Sequence, residues 1–79
     1  MTSWDDEFHP SAATRSTLRW AQEHGAWTLG EAHDLLDQLA VSNDVPEVLG
    51  PDDTVEGVRE EVELGLDLVG PDAELTDLG

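Results

Sequence analysis

The sequence predicts an α+β domain of three main helices followed by a short C-terminal β-hairpin. Three observations carry this prediction. Apolar residues near the middle of the chain recur at helical spacing. Patterns typical of helix starts precede the second and third helical segments. After Leu64 the apolar spacing changes to every second residue, as in a half-buried strand.

The first predicted helix runs from about Ser11 to His24, with Ser11 as its N-cap. Gly25 follows at the position where a chain leaving a helix commonly needs a positive φ. We expect the inner face to consist of Thr14, Leu18 and Ala21, with Trp20 half exposed beside them.

The second helix begins with a capping box formed by Thr28 and Glu31. In this motif the Thr hydroxyl and the Glu carboxylate each accept a hydrogen bond from a backbone amide that the helix leaves unpaired. Its apolar stripe consists of Ala32, Leu35, Leu36 and Leu39. Trp27 precedes the cap, and we expect it to pack in the core against Ala32 or the third helix.

The third helix opens at Asp53, where Glu56 repeats the cap pattern, and is expected to end near Leu64. Its inner face is formed by Val55, Val58 and Val62. Residues 64–68 then alternate as one strand, residues 70–72 form a turn, and residues 74–76 return as a second strand.

This order of elements resembles a winged helix-turn-helix domain. Residues 18–25 and 27–36 resemble the first two helices of that family, in which a Gly ends one helix and a Thr caps the next. Thr54-Val55 resembles the start of the family's recognition helix, and residues 74–79 resemble the segment that closes its wing. The resemblance implies a winged helix over residues 11–79, preceded by an acidic arm over residues 1–10.

The charge of the chain is extreme for its length of 79 residues. It carries 19 acidic residues against three arginines and no lysine, so its formal net charge is −16. Like charges repel across a compact surface, and molar salt removes most of that repulsion by shortening the screening distance to about 3 Å. The composition therefore resembles that of haloarchaeal proteins. An acidic protein from a GC-rich organism is the alternative.

Several classes of protein are excluded by the residue types. The absence of Cys excludes a disulfide framework and a thiolate zinc site. No apolar run approaches the roughly 20 residues of a membrane span, and the acidic N-terminus differs from a basic signal peptide, so we expect a soluble, cytoplasmic protein. His33 and Asp37 lie four residues apart, and we interpret them as a helix-surface pair. We expect no enzyme, no metal and no cofactor.

Two functions remain open from the sequence. The first, implied by the resemblance, is a transcription-regulator-type domain that contacts duplex DNA. Arg59 on the third helix would read a base, and Arg15 and Arg19 on the first helix would contact phosphates. Arg59 is expected to point outward, away from the valines of the inner face. All three arginines could instead pair with nearby carboxylates.

The second function is an acidic protein-interaction module, either an adaptor or, less readily, a mimic whose carboxylates replace the phosphates of a duplex. The third helix supports it, because that helix carries four glutamates and Arg59 alone. Trp4, Phe8 and Trp20 are the candidate partner-binding residues. The arm that holds Trp4 and Phe8 could dock on a second copy to form a homodimer, or fold over its own core.

The acidic composition predicts that the fold depends on salt. Lowering the KCl concentration from about 3 M to about 0.1 M lengthens the screening distance, so carboxylate repulsion should loosen the helices. Circular dichroism across this range should show helix content rising with KCl. A helical signal that stays constant from dilute to concentrated salt would contradict the halophilic interpretation.

Overall fold

The computed structural model describes residues 8–77 of the chain, with side chains as far as residue 76. Three α-helices follow one another: α1 (Ala12–Glu23), α2 (Leu29–Ser42) and α3 (Val55–Val69). A short 3-10 turn at Leu75–Asp77 follows them. The α2–α3 pair makes the most extensive interhelical contact, and α1 packs against both of its members.

The three helices begin at side-chain caps, as the sequence predicts. Ser11 and Thr28 cap α1 and α2, and the Thr28 hydroxyl accepts a hydrogen bond from the Glu31 amide at 3.3 Å. The cap of α3 is Thr54, one residue later than predicted, and its hydroxyl accepts from the Gly57 amide at 3.0 Å. These bonds satisfy donors that the first helical turn leaves unpaired.

The core lies where the three helices meet. The predicted inner faces of α1 and α3 are buried, and Thr17 on α1 is buried beside them. On α2 only part of the predicted stripe is fully buried, because Leu35 and Leu39 stay partly accessible at its margin. The buried apolar residues that lie on the helices are Leu18, Ala21, Leu29, Ala32, Leu36, Val55, Val58 and Val62.

The predicted β-hairpin wing is wrong. Residues 64–68, predicted as a strand, belong to α3, which continues without interruption to Val69. Within residues 8–77 the only extended pairing is a single antiparallel bridge between Thr28 and Glu74. The described chain is therefore a helical domain, and the α+β winged-helix prediction is corrected to three helices without a sheet.

The alternation of leucines after Leu64 led to the wrong prediction of a strand. A helix shows the same alternation in sequence when its leucines lie on opposite faces. Leu66 packs against the core, whereas Leu64 and Leu68 lie on the outer surface of α3. A reading with a period of two treats all three leucines as one buried face. In the helix they are divided between its inner and outer faces.

The segment after α3 returns to the start of α2. Gly70, at φ 91°, ends the helix in a conformation that side chains rarely adopt. The Leu29 amide then donates to the Ala73 carbonyl at 2.8 Å, and the Leu75 amide donates to the Trp27 carbonyl at 2.9 Å. Leu75 is 2% exposed, so this segment completes the core that the helices leave open.

The chain before α1 also packs over the core. Phe8 is 4% exposed and its ring lies on Gly65 of α3. A Cβ at position 65 would lie 2.5 Å from the nearest ring atom, so only glycine allows this approach. Beside it, the amide and hydroxyl of Ser11 both donate to the Glu61 carboxylate. These contacts hold residues 8–11 against α3.

The Phe8–Gly65 contact predicts that the effect of Gly65→Ala on the free energy of unfolding changes sign when Phe8 is replaced by alanine. Gly65→Ala alone should destabilise the domain by about 1–3 kcal/mol, because the added methyl group displaces the ring. Phe8→Ala should cost about 3 kcal/mol. In the Phe8→Ala background, Gly65→Ala should instead stabilise by about 1 kcal/mol, since alanine favours a helix.

Urea unfolding of the four proteins in concentrated KCl measures this cycle. Equal effects of Gly65→Ala in the two backgrounds would mean that Phe8 does not pack on residue 65.

Candidate partner-binding surface

Arg59, the predicted base reader, lies against α2. Its Nη1 donates a hydrogen bond to Asp37 Oδ1 at 3.1 Å, and its side chain is 32% exposed. Its Nε is buried, and no acceptor among the described residues reaches it. The expectation that Arg59 points fully outward is therefore wrong, because the residue spans the edge of the α2–α3 seam.

His33 joins the same interhelical network. Its Nε2 lies 3.2 Å from Glu63 Oε1 on α3, and its Nδ1 lies 3.7 Å from Asp37 Oδ2 one turn along α2. The predicted pairing of His33 with Asp37 is confirmed. The sequence missed that Glu63 and Arg59 complete this network, because those contacts require knowing that α2 and α3 pack antiparallel.

His33, Asp34 and Asp37 are the described residues that could hold a metal ion. Each offers one ligand atom, and these atoms lie within 4.8 Å of one another. The guanidinium of Arg59 on Asp37 places a positive charge beside the group and opposes binding of a second cation. The arrangement supports a polar link between helices.

The other two arginines lie on α1. Arg15 is half buried, and its Nε donates to the Pro10 carbonyl at 3.4 Å. Arg19 is exposed to solvent. Arg59 lies on the seam between α2 and α3, so the structure does not assemble the three predicted DNA-contacting residues into one basic patch.

The aromatic residues depart from their predicted roles. Phe8 is buried on α3 and is not available to a partner in this arrangement, whereas Trp4 lies outside the described residues. Trp20 is half exposed as expected, and its ring lies 4.2 Å from that of His24. Trp27 was expected in the core, but it is 65% exposed, whereas its neighbours Ala26 and Leu29 are buried.

Carboxylates line the outer side of α3 in one row. Its members recur at four, three and four residues, which keeps them on one face over a length of about 16 Å. The row consists of Glu56, Glu60, Glu63 and Asp67, and all four side chains are exposed. Among the ion pairs of the described residues, Glu63 is the one member of the row that takes part, with the imidazole of His33. This row is the most uniformly charged surface of α3.

Next to the row, Leu64 and Leu68 are exposed by 60% and 52%. They lie four residues apart, so their side chains are neighbours on the helix surface. We call them the leucine pair. Sequence reasoning missed the pair because it placed both residues in a strand. A helical projection that continued past Leu64 would have placed them opposite Val62.

Comparison of the chain with known protein families, curated proteins and solved structures gives no match. No described helix has both the length and the apolar character needed to cross a bilayer.

The contact between Arg59 and Asp37 predicts a measurable link between α2 and α3. Arg59→Ala and Asp37→Ala should each lower the free energy of unfolding by about 1 kcal/mol. The double variant should lose less than the sum, with a coupling of about 0.5 kcal/mol because both groups are partly exposed. Denaturant unfolding in KCl provides the measurement.

Arg19→Ala is the matched control, since Arg19 is exposed on α1 and its removal should change stability by less than about 0.5 kcal/mol. Additive losses in the double variant would show that Arg59 and Asp37 do not interact in solution.

Proposed function

We propose that this chain is a protein-interaction module whose acidic helical surface binds a basic protein segment. The observation that carries the proposal is the carboxylate row of α3, which presents negative charge along about 16 Å of one helix. Charge complementarity accelerates encounter with partners of opposite sign and opposes those of the same sign. A basic polypeptide therefore fits this surface, whereas a phosphate backbone does not.

The position of Arg59 also favours a protein partner over duplex DNA. A guanidinium that reads a guanine must present its donors to the base edge. Using Arg59 in that way would break its bond to Asp37 and bring α3, with its carboxylate row, toward the phosphates. Contact with DNA rests mainly on cations that neutralise phosphates, and α3 has no other cation to offer.

The acidic surface agrees with the cytoplasm of a salt-accumulating cell as the place of action. Every carboxylate whose side chain is described is exposed or half buried, so the charge is directed to solvent and does not sit in a core. In such a cell the screening distance is short, and contact between partners depends on close complementarity more than on long-range attraction.

The proposal predicts different behaviour toward two probes. The 79-residue chain in molar KCl should bind immobilised peptides that combine basic and apolar residues, and should not bind mixed-sequence duplex DNA. The Glu60→Gln/Asp67→Asn variant should bind those peptides more weakly, because two carboxylates of the row are neutralised. Peptide arrays measure binding to the basic peptides, and fluorescence anisotropy with a labelled duplex measures binding to DNA.

The matched control is Glu47→Gln/Asp52→Asn, which removes the same charge from the exposed connection between α2 and α3 and should leave peptide binding unchanged. Tight duplex binding that is lost in Arg59→Ala, together with no peptide binding, would reject the protein-interaction function and restore DNA contact.

A further inference from the structure

We infer that the leucine pair is the docking site for a basic amphipathic helix of a partner protein. The inference rests on the proposed function and specifies where on the module the partner lies. Leu64 and Leu68 present large apolar side chains to water on a helix whose apolar inner face is already satisfied by the core. Exposed apolar groups framed by polar residues are typical of interaction sites.

The surroundings of the pair define the chemistry of its partner. On a helix, the surface neighbours of a residue lie three and four positions away. For Leu64 these neighbours are Glu60, Glu61, Asp67 and Leu68. The apolar pair is therefore bordered by carboxylates, and a matching segment needs apolar residues on one face and lysines or arginines along its edge.

A second copy of the chain fits this site poorly. Pairing two α3 surfaces through their leucines would bring two rims of carboxylates together, and like charges at a contact oppose association. The net charge of −16 on each copy adds to that repulsion. A basic segment gains from the same rim, so charge complementarity selects a partner of opposite sign.

Two exposed valines lie outside α3, at the end of α2 and just after it. Val41 on α2 is 88% exposed and Val45 in the following connection is 63% exposed. The surface neighbours of Val41 within α2 are Asp37 and Gln38, and Asp37 already bonds Arg59. These valines provide a matched comparison, because they offer a similar apolar surface in the absence of the carboxylate row.

The test uses the 79-residue chain and a labelled model peptide of about 15 residues, long enough to form a helix, with leucines on one face and lysines beside them. Fluorescence anisotropy in KCl gives the dissociation constant. Leu64→Gln/Leu68→Gln should weaken binding about twentyfold, because a partner would cover the half of each side chain still in water. Val41→Gln/Val45→Gln should leave binding within about twofold.

Glutamine preserves helix propensity, and circular dichroism verifies that each variant remains helical. Leu64→Met/Leu68→Met, which keeps the apolar surface, should retain nearly full affinity. Replacing the peptide's lysines with glutamines should weaken binding and flatten its dependence on KCl. Together these results would support an apolar contact within an acidic rim.

Three results would overturn the inference. Peptide binding that falls with the row variant Glu60→Gln/Asp67→Asn but not with Leu64→Gln/Leu68→Gln would place the partner elsewhere on α3, while the proposed function stands. Binding that appears only after deletion of residues 1–7 would make the chain's own N-terminus the occupant of the pair. Concentration-dependent dimerisation abolished by the leucine variant would make the occupant a second copy.

Discussion

The structure depends on completing a small apolar core in a chain whose surface repels itself. The three helices do not form the core alone, because segments outside them contribute buried side chains. Phe8 covers α3 at Gly65, and Leu75 packs inside after the chain turns back toward α2. Burial of apolar side chains is the main favourable term in folding, and it must offset both chain entropy and carboxylate repulsion. Each closing residue therefore matters more than it would in a larger domain.

Polar contacts add specificity to this core and do not replace it. The network of His33, Asp37, Arg59 and Glu63 lies along the edge of the α2–α3 seam, where water still reaches part of each group. Partly exposed ion pairs contribute little net free energy, but they favour one relative position of two helices over others. Because these contacts hold Arg59 against α2, carboxylates and leucines form the outer surface of α3.

Local signals predicted what depends on local chemistry. The caps at Ser11 and Thr28 and the inner valines of α3 were predictable, because hydrogen bonding at helix starts and burial at helical spacing act within a few residues. The end of α3 was not predictable, since the spacing of the leucines in residues 64–68 fits a half-buried strand as well as a helix with leucines on two faces. The pairing of Arg59 with Asp37 and the exposure of Trp27 follow from tertiary packing. The leucine pair became visible only once that helix was known to continue.

The return of the C-terminal segment has a consequence for how the domain acquires its structure. Leu75 donates its amide to Trp27, a residue far earlier in the chain, and fills the space between the helices. During synthesis from the N-terminus, α1, α2 and α3 all emerge before the residue that completes their core. Until residue 75 is available, the nascent helices lack one of their fully buried leucines, and contacts between such distant residues form slowly. Cooperative folding of this domain therefore requires residue 75 to have been synthesised, and a ribosome stalled shortly before that point would hold a loosened helical intermediate.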